Sequence, residues 1–342
     1  MTVSTFCLVC AAMLGADAEP APNQQLPAVE SDDARRAIVR ALEFLEADVV
    51  KWRKEHDCAT CHHGVMTVWA LSEASRRGIG VKPESLAEIT QWTKAGVLAQ
   101  IDQPRDARPG WNMVSTPALY LAAMSRSVPA QDVVGPKEYR QIAGHLLRHQ
   151  ESDGSWIWSS APAKNRAPPV FESDEVATLL ALGALGAAPP GDPMDQASIQ
   201  IARREGIAWL KQASPSDTTQ AAALRLLTKK WGGVSADQLR SDVDSLVQRA
   251  NPDGGWPQIP GARSDAYATG QALYILRLAG ADGDREALRR GVRFLIDTQQ
   301  ADGSWLMTRR GHPGATPTKN VVPITYFGAA WGTLGLLRAV EK

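Results

Sequence analysis

One short segment contains the side chains best suited to chemistry. Cys58, Cys61 and His62 form a C-x-x-C-H pattern, and further imidazoles flank it at His56 and His63. Two thiols at this spacing add across the vinyl groups of a haem, and the histidine that follows them is placed to bind the iron. The pattern predicts a covalently bound haem c, with Cys58 and Cys61 as anchors and His62 as the proximal iron ligand.

Two other chemistries fit the same pair of cysteines. In an oxidising compartment the pair can close as a disulfide. A zinc site of the Cys₂His type is the third alternative, with His56 or His63 completing the ligand set. The residues alone leave haem, disulfide and metal open.

The sixth position of a haem iron would decide its use. The sequence offers His312, Met307 and Met113 as candidates, each in a predicted loop. A position closed by His or Met suits electron transfer, whereas an open position suits binding or activating a small molecule. The partners expected are therefore a redox protein or an apolar small molecule.

The amino terminus predicts export, which covalent haem attachment requires. An apolar run over residues 6–16 is followed by the A-x-A pattern of residues 16–18, although no Lys or Arg precedes Arg35. We interpret residues 1–18 as a signal peptide and 19–33 as a linker, so the protein is expected in the periplasm or outside the cell. The apolar run is too short to span a membrane, and no later segment is long and apolar enough.

Charge and composition exclude several classes of protein. The 342 residues include 37 Lys+Arg and 37 Asp+Glu, so the net charge is zero. Without a basic excess, nucleic acid and anionic membrane surfaces are not expected partners. Apolar residues at 44% and charged residues at 22% are ordinary values for a globular protein, which excludes a disordered chain.

The elements that must position these residues are helices. Apolar side chains recur at i, i+3 and i+4 almost throughout, which predicts an all-α protein. In each successive pair, the first helix is more charged and the second is rich in Ala, Gly and Leu, so outer and inner helices alternate. The twelve predicted helices are 34–55, 64–78, 83–102, 116–126, 137–150, 174–188, 196–213, 218–230, 236–250, 266–280, 284–300 and 326–341.

A repeated phrase joins the two members of several pairs. It is QESDGSW at residues 150–156, NPDGGW at 251–256 and QADGSW at 300–305. Asp-Gly gives a tight turn in which glycine adopts positive φ, and the tryptophan ring can pack between neighbouring repeats. These phrases are predicted to be structural staples.

The phrase and the Ala/Gly/Leu-rich helix after it resemble the repeats of the squalene–hopene cyclase and protein prenyltransferase superfamily. The resemblance covers residues 137–342 and implies a single (α/α)6 toroid over 34–342. Secreted bacterial proteins of this superfamily are similar around the CxxCH segment as well. In such a toroid, loop 56–64 would lie at the mouth, beside the N-termini of the inner helices.

The resemblance also implies a test for cyclase chemistry. Squalene–hopene cyclases protonate an alkene with a DxDD motif at the start of an inner helix. Here the corresponding stretch is Glu172-Ser173-Asp174-Glu175, which is acidic but departs from that motif. Glu172 and Asp174 are the candidates for a catalytic acid, and capping of the helix N-terminus is the alternative. No Asp, Cys and His set matches the zinc site of the prenyltransferases.

The hypothesis is therefore an exported toroid with covalent haem at its mouth, acting in redox chemistry or ligand binding. The alternatives are a terpenoid cyclase-like enzyme and a structural or binding toroid, in both of which CxxC is a disulfide or a metal site. The sequence does not decide whether the protein is an enzyme.

Overall fold

The structure is a computed structural model, and it describes residues 28–56, 63–102, 116–121, 134–157, 173–186, 196–281, 285–307 and 325–340. These residues form twelve helices and contain no β-strand, which confirms the all-α prediction. The helices are α1 Ala28–His56, α2 His63–Arg76, α3 Pro83–Ile101, α4 116–121, α5 Pro136–Arg148, α6 Asp174–Leu185, α7 Gln196–Gln212, α8 Thr219–Trp231, α9 Ala236–Val247, α10 Ala266–Ala279, α11 Arg285–Thr298 and α12 Thr325–Ala339.

The first helix is longer than predicted. It begins at Ala28 rather than at residue 34, so part of the segment interpreted as a linker is helical. Asp32 and Asp33 lie near its N-terminus, where carboxylates interact favourably with the positive end of the helix dipole. None of the described helices is long and apolar enough to cross a membrane.

Inner and outer helices alternate as the composition predicts. Inner helix α2 is buried on every face from His63 to Ala74, whereas outer helix α3 buries a single stripe. Among the inner helices, α2 packs on α12, α12 on α10, α10 on α8 and α8 on α6. The tightest approach is between α10 and α12, where a Cβ atom on Gly270 would overlap the backbone of Trp331.

The inner helices α2 and α12 run parallel. His63 and Tyr326, at their first turns, are in ring contact, and Glu73 and Arg338, in their last turns, form an ion pair at 3.0 Å. We call the end where inner helices begin the rim and the opposite end the base. The residues that flank the segment between α1 and α2 therefore lie at the rim.

The three repeated phrases form equivalent staples. Their tryptophans are at most 2% exposed, and each indole N–H donates to a leucine carbonyl oxygen ten residues earlier, at 2.7–2.8 Å. The pairs are Trp156 with Leu146, Trp256 with Leu246 and Trp305 with Leu295. A buried indole needs such a partner, so the leucine carbonyl fixes the ring position.

The glycines of these phrases pack against the next outer helix. Gly154, Gly254 and Gly303 have φ of 91°, 91° and 89°, which favours glycine. A Cβ atom would lie 2.6 Å from the Glu205 carbonyl oxygen of α7 in the first case and 2.8 Å from that of Arg290 of α11 in the second. The predicted role of these phrases as staples fits this packing.

The last of the three phrases closes the ring. Gly303 packs on the backbone of Arg40 in α1, where a Cβ atom would overlap the carbonyl oxygen. The Gln299 side-chain amide donates to the carbonyl oxygens of Ala37, at 2.8 Å, and of Gly303, at 3.0 Å. Contacts of α1 with α11 and α12 complete the closure. The helices therefore form a closed toroid rather than an open array.

A buried carboxylate holds the base of α2, α10 and α12 together. Glu73 is fully buried and accepts hydrogen bonds from Tyr274 at 2.8 Å, from Arg338 at 3.0 Å and from Arg77. Burial raises the pKa of Glu73, but Arg338 and Arg77 outweigh it and hold the pKa below its ordinary value. The carboxylate is thus ionised and compensated by two guanidinium groups.

Candidate functional site

The structure describes few of the predicted site residues. Asp174 and Met307 lie within the described residues, as do the flanking imidazoles of His56 and His63. The predicted haem anchors and ligand, two of the sixth-ligand candidates and one acid candidate lie outside them: Cys58, Cys61, His62, Met113, His312 and Glu172.

Stacked rings border the CxxCH segment on both sides. His56 ends α1 and stacks on Trp52 with ring centroids 3.7 Å apart. His63 begins α2 and stacks between Trp52, at 4.2 Å, and Tyr326 of α12, at 3.7 Å. The two ends of the segment are therefore joined to one another, and to the last inner helix, by a continuous set of rings.

A carboxylate lies against the inner ring of this stack. His63 is 3% exposed, and its Nε2 lies 3.4 Å from Asp48 Oδ2 on α1. Burial raises the pKa of Asp48, an effect that Lys51 opposes and Glu55 reinforces. The His63 imidazole is thus held by two ring faces and a carboxylate, so it serves the packing of the rim.

Met307 is placed at the same end of the toroid. It is 2% exposed, and its thioether packs on Gly328, where a Cβ atom would lie 2.8 Å from the sulfur. Gly328 follows Tyr326 by two residues in the first turn of α12. The structure therefore places this sixth-ligand candidate at the rim, packed against the first turn of α12.

A serine hydroxyl caps the N-terminus of α6. Ser173 is the N-cap residue, and its hydroxyl accepts from the Val176 N–H at 3.3 Å. Asp174 is half-buried at the first helical position, and the neighbouring Glu175 pairs with Arg225 of α8. These contacts match the capping alternative for Asp174.

A second carboxylate at a rim helix start differs from Asp174. Asp265 caps α10, accepting from the Ala268 N–H at 2.8 Å and from the Gln258 amide at 2.6 Å. Burial raises the pKa of Asp265 to about 6, although both hydrogen bonds lower it. Nothing in the sequence distinguishes Asp265 from an ordinary N-cap residue, because its burial depends on the loop that carries Gln258.

Replacing Asp265 with asparagine is expected to change how stability depends on pH. The folded state keeps the Asp265 proton up to about pH 6, whereas the unfolded chain releases it near 3.8. Stability is therefore lost as pH rises through this window, by roughly 1.4 kcal/mol per unit of pKa difference. Asp265→Asn removes the loss, so its stability relative to wild type should rise between pH 4 and pH 7, as measured by urea unfolding.

The exposed Asp297→Asn variant is the control for this experiment. It makes the same change from Asp to Asn on α11, where Asp297 forms an exposed ion pair with Arg293. Parallel pH profiles for wild type, Asp265→Asn and Asp297→Asn would contradict the raised pKa.

One cavity among the described inner helices is small. It has a volume of about 20 Å³, enough for about one water. Its polar wall is Gln220, Tyr267 and Gln271, and Phe327 and Trp331 form its aromatic wall. Ligand pockets for small molecules usually measure several hundred Å³, so this cavity by itself is too small for one.

Comparisons with known proteins agree with the repeat region. Residues 208–309 match the squalene-hopene cyclase N-terminal domain. Drimenyl diphosphate synthase of Streptantibioticus cattleyicolor is 38% identical over 72 residues, which are 21% of this chain and 14% of that protein. Ent-copalyl diphosphate synthase of a Streptomyces species is 37% identical over 100 residues, 28% of this chain and 19% of that protein. The matches thus span less than a fifth of either relative.

Solved structures match almost the whole chain at low identity. A variant of the type II terpene cyclase MstE from Scytonema, in complex with merosterolic acid A, has a TM-score of 0.60 and 16% identity, over 92% of this chain and 99% of that one. Unsaturated glucuronyl hydrolase from Bacillus sp. GL1 has a TM-score of 0.62 and 15% identity, over 89% and 96%. The chain therefore has the α/α toroid fold of the type II terpene cyclases, with squalene-hopene cyclase-type sequence over residues 208–309.

Proposed function

We propose that the protein is an exported toroid that binds a covalent haem c at its rim and acts in redox chemistry or ligand binding. Cys58 and Cys61 are the proposed thioether anchors and His62 the proximal ligand. The observation that carries the proposal is the C-x-x-C-H segment, bordered on both sides by the ring stack of Trp52 and His63.

The residues around the segment fit a haem. A haem is a flat aromatic ligand, and the described rim next to the segment offers the flat rings of Trp52, His63 and Tyr326. The stack joins the ends of α1 and α2 to Tyr326, which gives the segment a rigid support. When bound, the haem would supply one-electron chemistry or an iron coordination site, and His62 would set its proximal side.

The small size of the described central cavity also supports a site at the rim. Its volume of about 20 Å³ is too small for a large ligand. A cofactor attached to the loop between α1 and α2 needs none of that volume. Met307 remains the described candidate for the sixth ligand, and it would have to leave its contact with Gly328 to bind iron.

Visible spectroscopy of protein produced in a periplasm with c-type haem maturation tests the proposal. We expect a sharp α band in the reduced-minus-oxidised spectrum and an intact mass larger by one haem after acid–acetone extraction. The Cys58→Ala/Cys61→Ala double variant should retain its helical circular dichroism and lose both signals. A colourless wild-type protein lighter by two hydrogens would identify a disulfide and refute the haem proposal.

A terpenoid cyclase-like activity is the second candidate. It is favoured by the likeness to drimenyl and ent-copalyl diphosphate synthases and by the raised pKa of Asp265, which lets a carboxylic acid keep its proton up to about pH 6. Incubation with geranylgeranyl diphosphate and analysis of the products by mass spectrometry test it. Activity that Asp265→Asn abolishes and Asp174→Asn preserves would support this candidate, and unchanged substrate would refute it.

A further inference from the structure

The central cavity, between the inner helices α4, α6, α8, α10 and α12, contains two buried carboxamides. Gln220, in the first turn of α8, is 8% exposed, and Gln271 of α10 is 2% exposed. Both side chains line the cavity together with Tyr267. The rest of its described wall is apolar and consists of Leu119, Leu180, Leu224, Ile275, Phe327 and Trp331. Two strongly polar groups therefore meet in apolar surroundings.

Both carboxamides bond to the same hydroxyl group. Gln271 and Gln220 form side-chain hydrogen bonds with Tyr267. Burial raises the pKa of Tyr267, and both bonds oppose this effect, as bonds donated to a phenolic oxygen do. The amide N–H groups therefore donate to Tyr267, and the two carboxamides are neighbours around a single oxygen atom.

Each carboxamide also has an oxygen that no described group satisfies. Gln220 Oε1 and Gln271 Oε1 are buried, and neither has a hydrogen-bond partner among the described residues. A buried acceptor without a donor costs more free energy than an ordinary hydrogen bond gains, because its bonds to bulk water are not replaced. Two such oxygens beside one cavity point to a donor inside it.

Turning a carboxamide around does not remove this need. Rotation by 180° would let one amide oxygen accept from the Tyr267 hydroxyl, but a hydroxyl has a single proton and can donate to one oxygen only. The rotated amide would also direct its N–H groups away from Tyr267. Every arrangement therefore leaves at least one amide group that needs a partner in the cavity.

We propose that the central cavity binds one ordered water molecule, which donates its two protons to Gln220 Oε1 and Gln271 Oε1. A buried water needs roughly 10 to 15 Å³ of such space and two to four polar partners. The cavity of about 20 Å³ has the required size, and its two amide oxygens and the Tyr267 hydroxyl are the polar groups. The water links α8 to α10 inside the ring, and it requires neither a haem nor a cyclase reaction.

Water fits this site better than a small cation does. An ammonium ion could also donate to both amide oxygens, and the rings of Phe327 and Trp331 would attract it. However, no carboxylate of the described residues lines the cavity, so the positive charge would be buried without compensation. A neutral donor avoids this cost.

A high-resolution crystal structure of the full chain tests the proposal directly. We expect one peak of electron density at hydrogen-bond distance, roughly 2.5 to 3.0 Å, from both amide oxygens. A cavity without density, or a peak that contacts only one of the two oxygens, would overturn the proposal. This measurement uses the wild-type protein and does not depend on the folding of any variant.

Magnetic relaxation dispersion of water oxygen tests the proposal in solution, because it counts waters with long residence times. Gln220→Met/Gln271→Met leaves Tyr267 as the one polar group of the described wall, so this variant should lose one long-lived water relative to wild type. Gln212→Met removes an exposed carboxamide from α7 and should keep the wild-type count. Circular dichroism verifies that both variants are helical. Equal counts in the three proteins would overturn the proposal.

Thermal unfolding in ammonium chloride distinguishes water from a cation. A ligand that binds only the folded state raises the melting temperature as its concentration increases. We expect equal melting temperatures in ammonium chloride and sodium chloride of the same concentration. A rise that is specific to ammonium and lost in Gln220→Met/Gln271→Met would identify a cation site and overturn the water proposal.

Discussion

Gly303→Ala is expected to lower the free energy of unfolding by about 2 to 5 kcal/mol. The φ of 89° is strained by roughly 1 to 2 kcal/mol for any residue with a Cβ atom. The new methyl group would also overlap the Arg40 carbonyl oxygen, so the loop must move away from α1. Overpacking of this kind adds roughly 1 to 3 kcal/mol. Guanidinium unfolding followed by circular dichroism measures the loss.

Gly261→Ala separates the two contributions. Gly261 also has a positive φ, of 77°, but a Cβ atom there would meet nothing within 4 Å. Its substitution should cost only the conformational strain, on the order of 1 kcal/mol. Equal losses in the two variants would show that overlap of the new methyl group with α1 adds no cost.

Glu73→Ala is expected to lower the free energy of unfolding by about 3 to 5 kcal/mol, because it leaves Arg77 and Arg338 facing each other without their shared carboxylate. The side chains of these arginines are 19% and 17% exposed, so water compensates them only in part. Thermal and urea unfolding measure the effect. Glu286→Ala, which removes a carboxylate from an exposed pair with Arg289, is the control and should cost at most about 0.5 kcal/mol.

The same carboxylate should contribute to acid unfolding. The pKa of Glu73 is lower in the folded state than its ordinary value of 4.5, so its contribution to stability is complete above pH 4.5 and is lost as the pH falls below that value. Glu73→Ala should therefore have a shallower loss of stability than wild type on the acid side. If the two proteins lose stability in parallel below pH 4.5, the pKa of Glu73 is not lowered in the fold.

The helices and the staples could be predicted from the sequence because both rest on local patterns. The period of apolar residues sets each helix, and the phrase ending at Trp256 or Trp305 contains its own turn. The start of α1 was predicted too late because the acidic residues before Ala34 resemble a linker in composition, whereas their charges stabilise a helix N-terminus.

Groups that depend on distant partners could not be predicted. Glu73 lies in an Ala-rich helix, and its partners Tyr274 and Arg338 come 201 and 265 residues later. The pKa of Asp265 depends on burial by a loop, which no spacing reveals. The ring stack likewise joins Trp52 and His63 to Tyr326, although the CxxCH pattern between them was visible at once.

The contact of loop 299–303 with α1 has a consequence for how the protein folds. In an open solenoid each repeat contacts only its neighbours, so repeats can form or melt one at a time. Here the Gln299 amide bonds a carbonyl 262 residues away, and no repeat is terminal. The entropic cost of closing so long a loop is offset only by contacts that form when the whole ring is present. Unfolding should consequently be a single cooperative transition, and a circular permutant opened elsewhere should keep it.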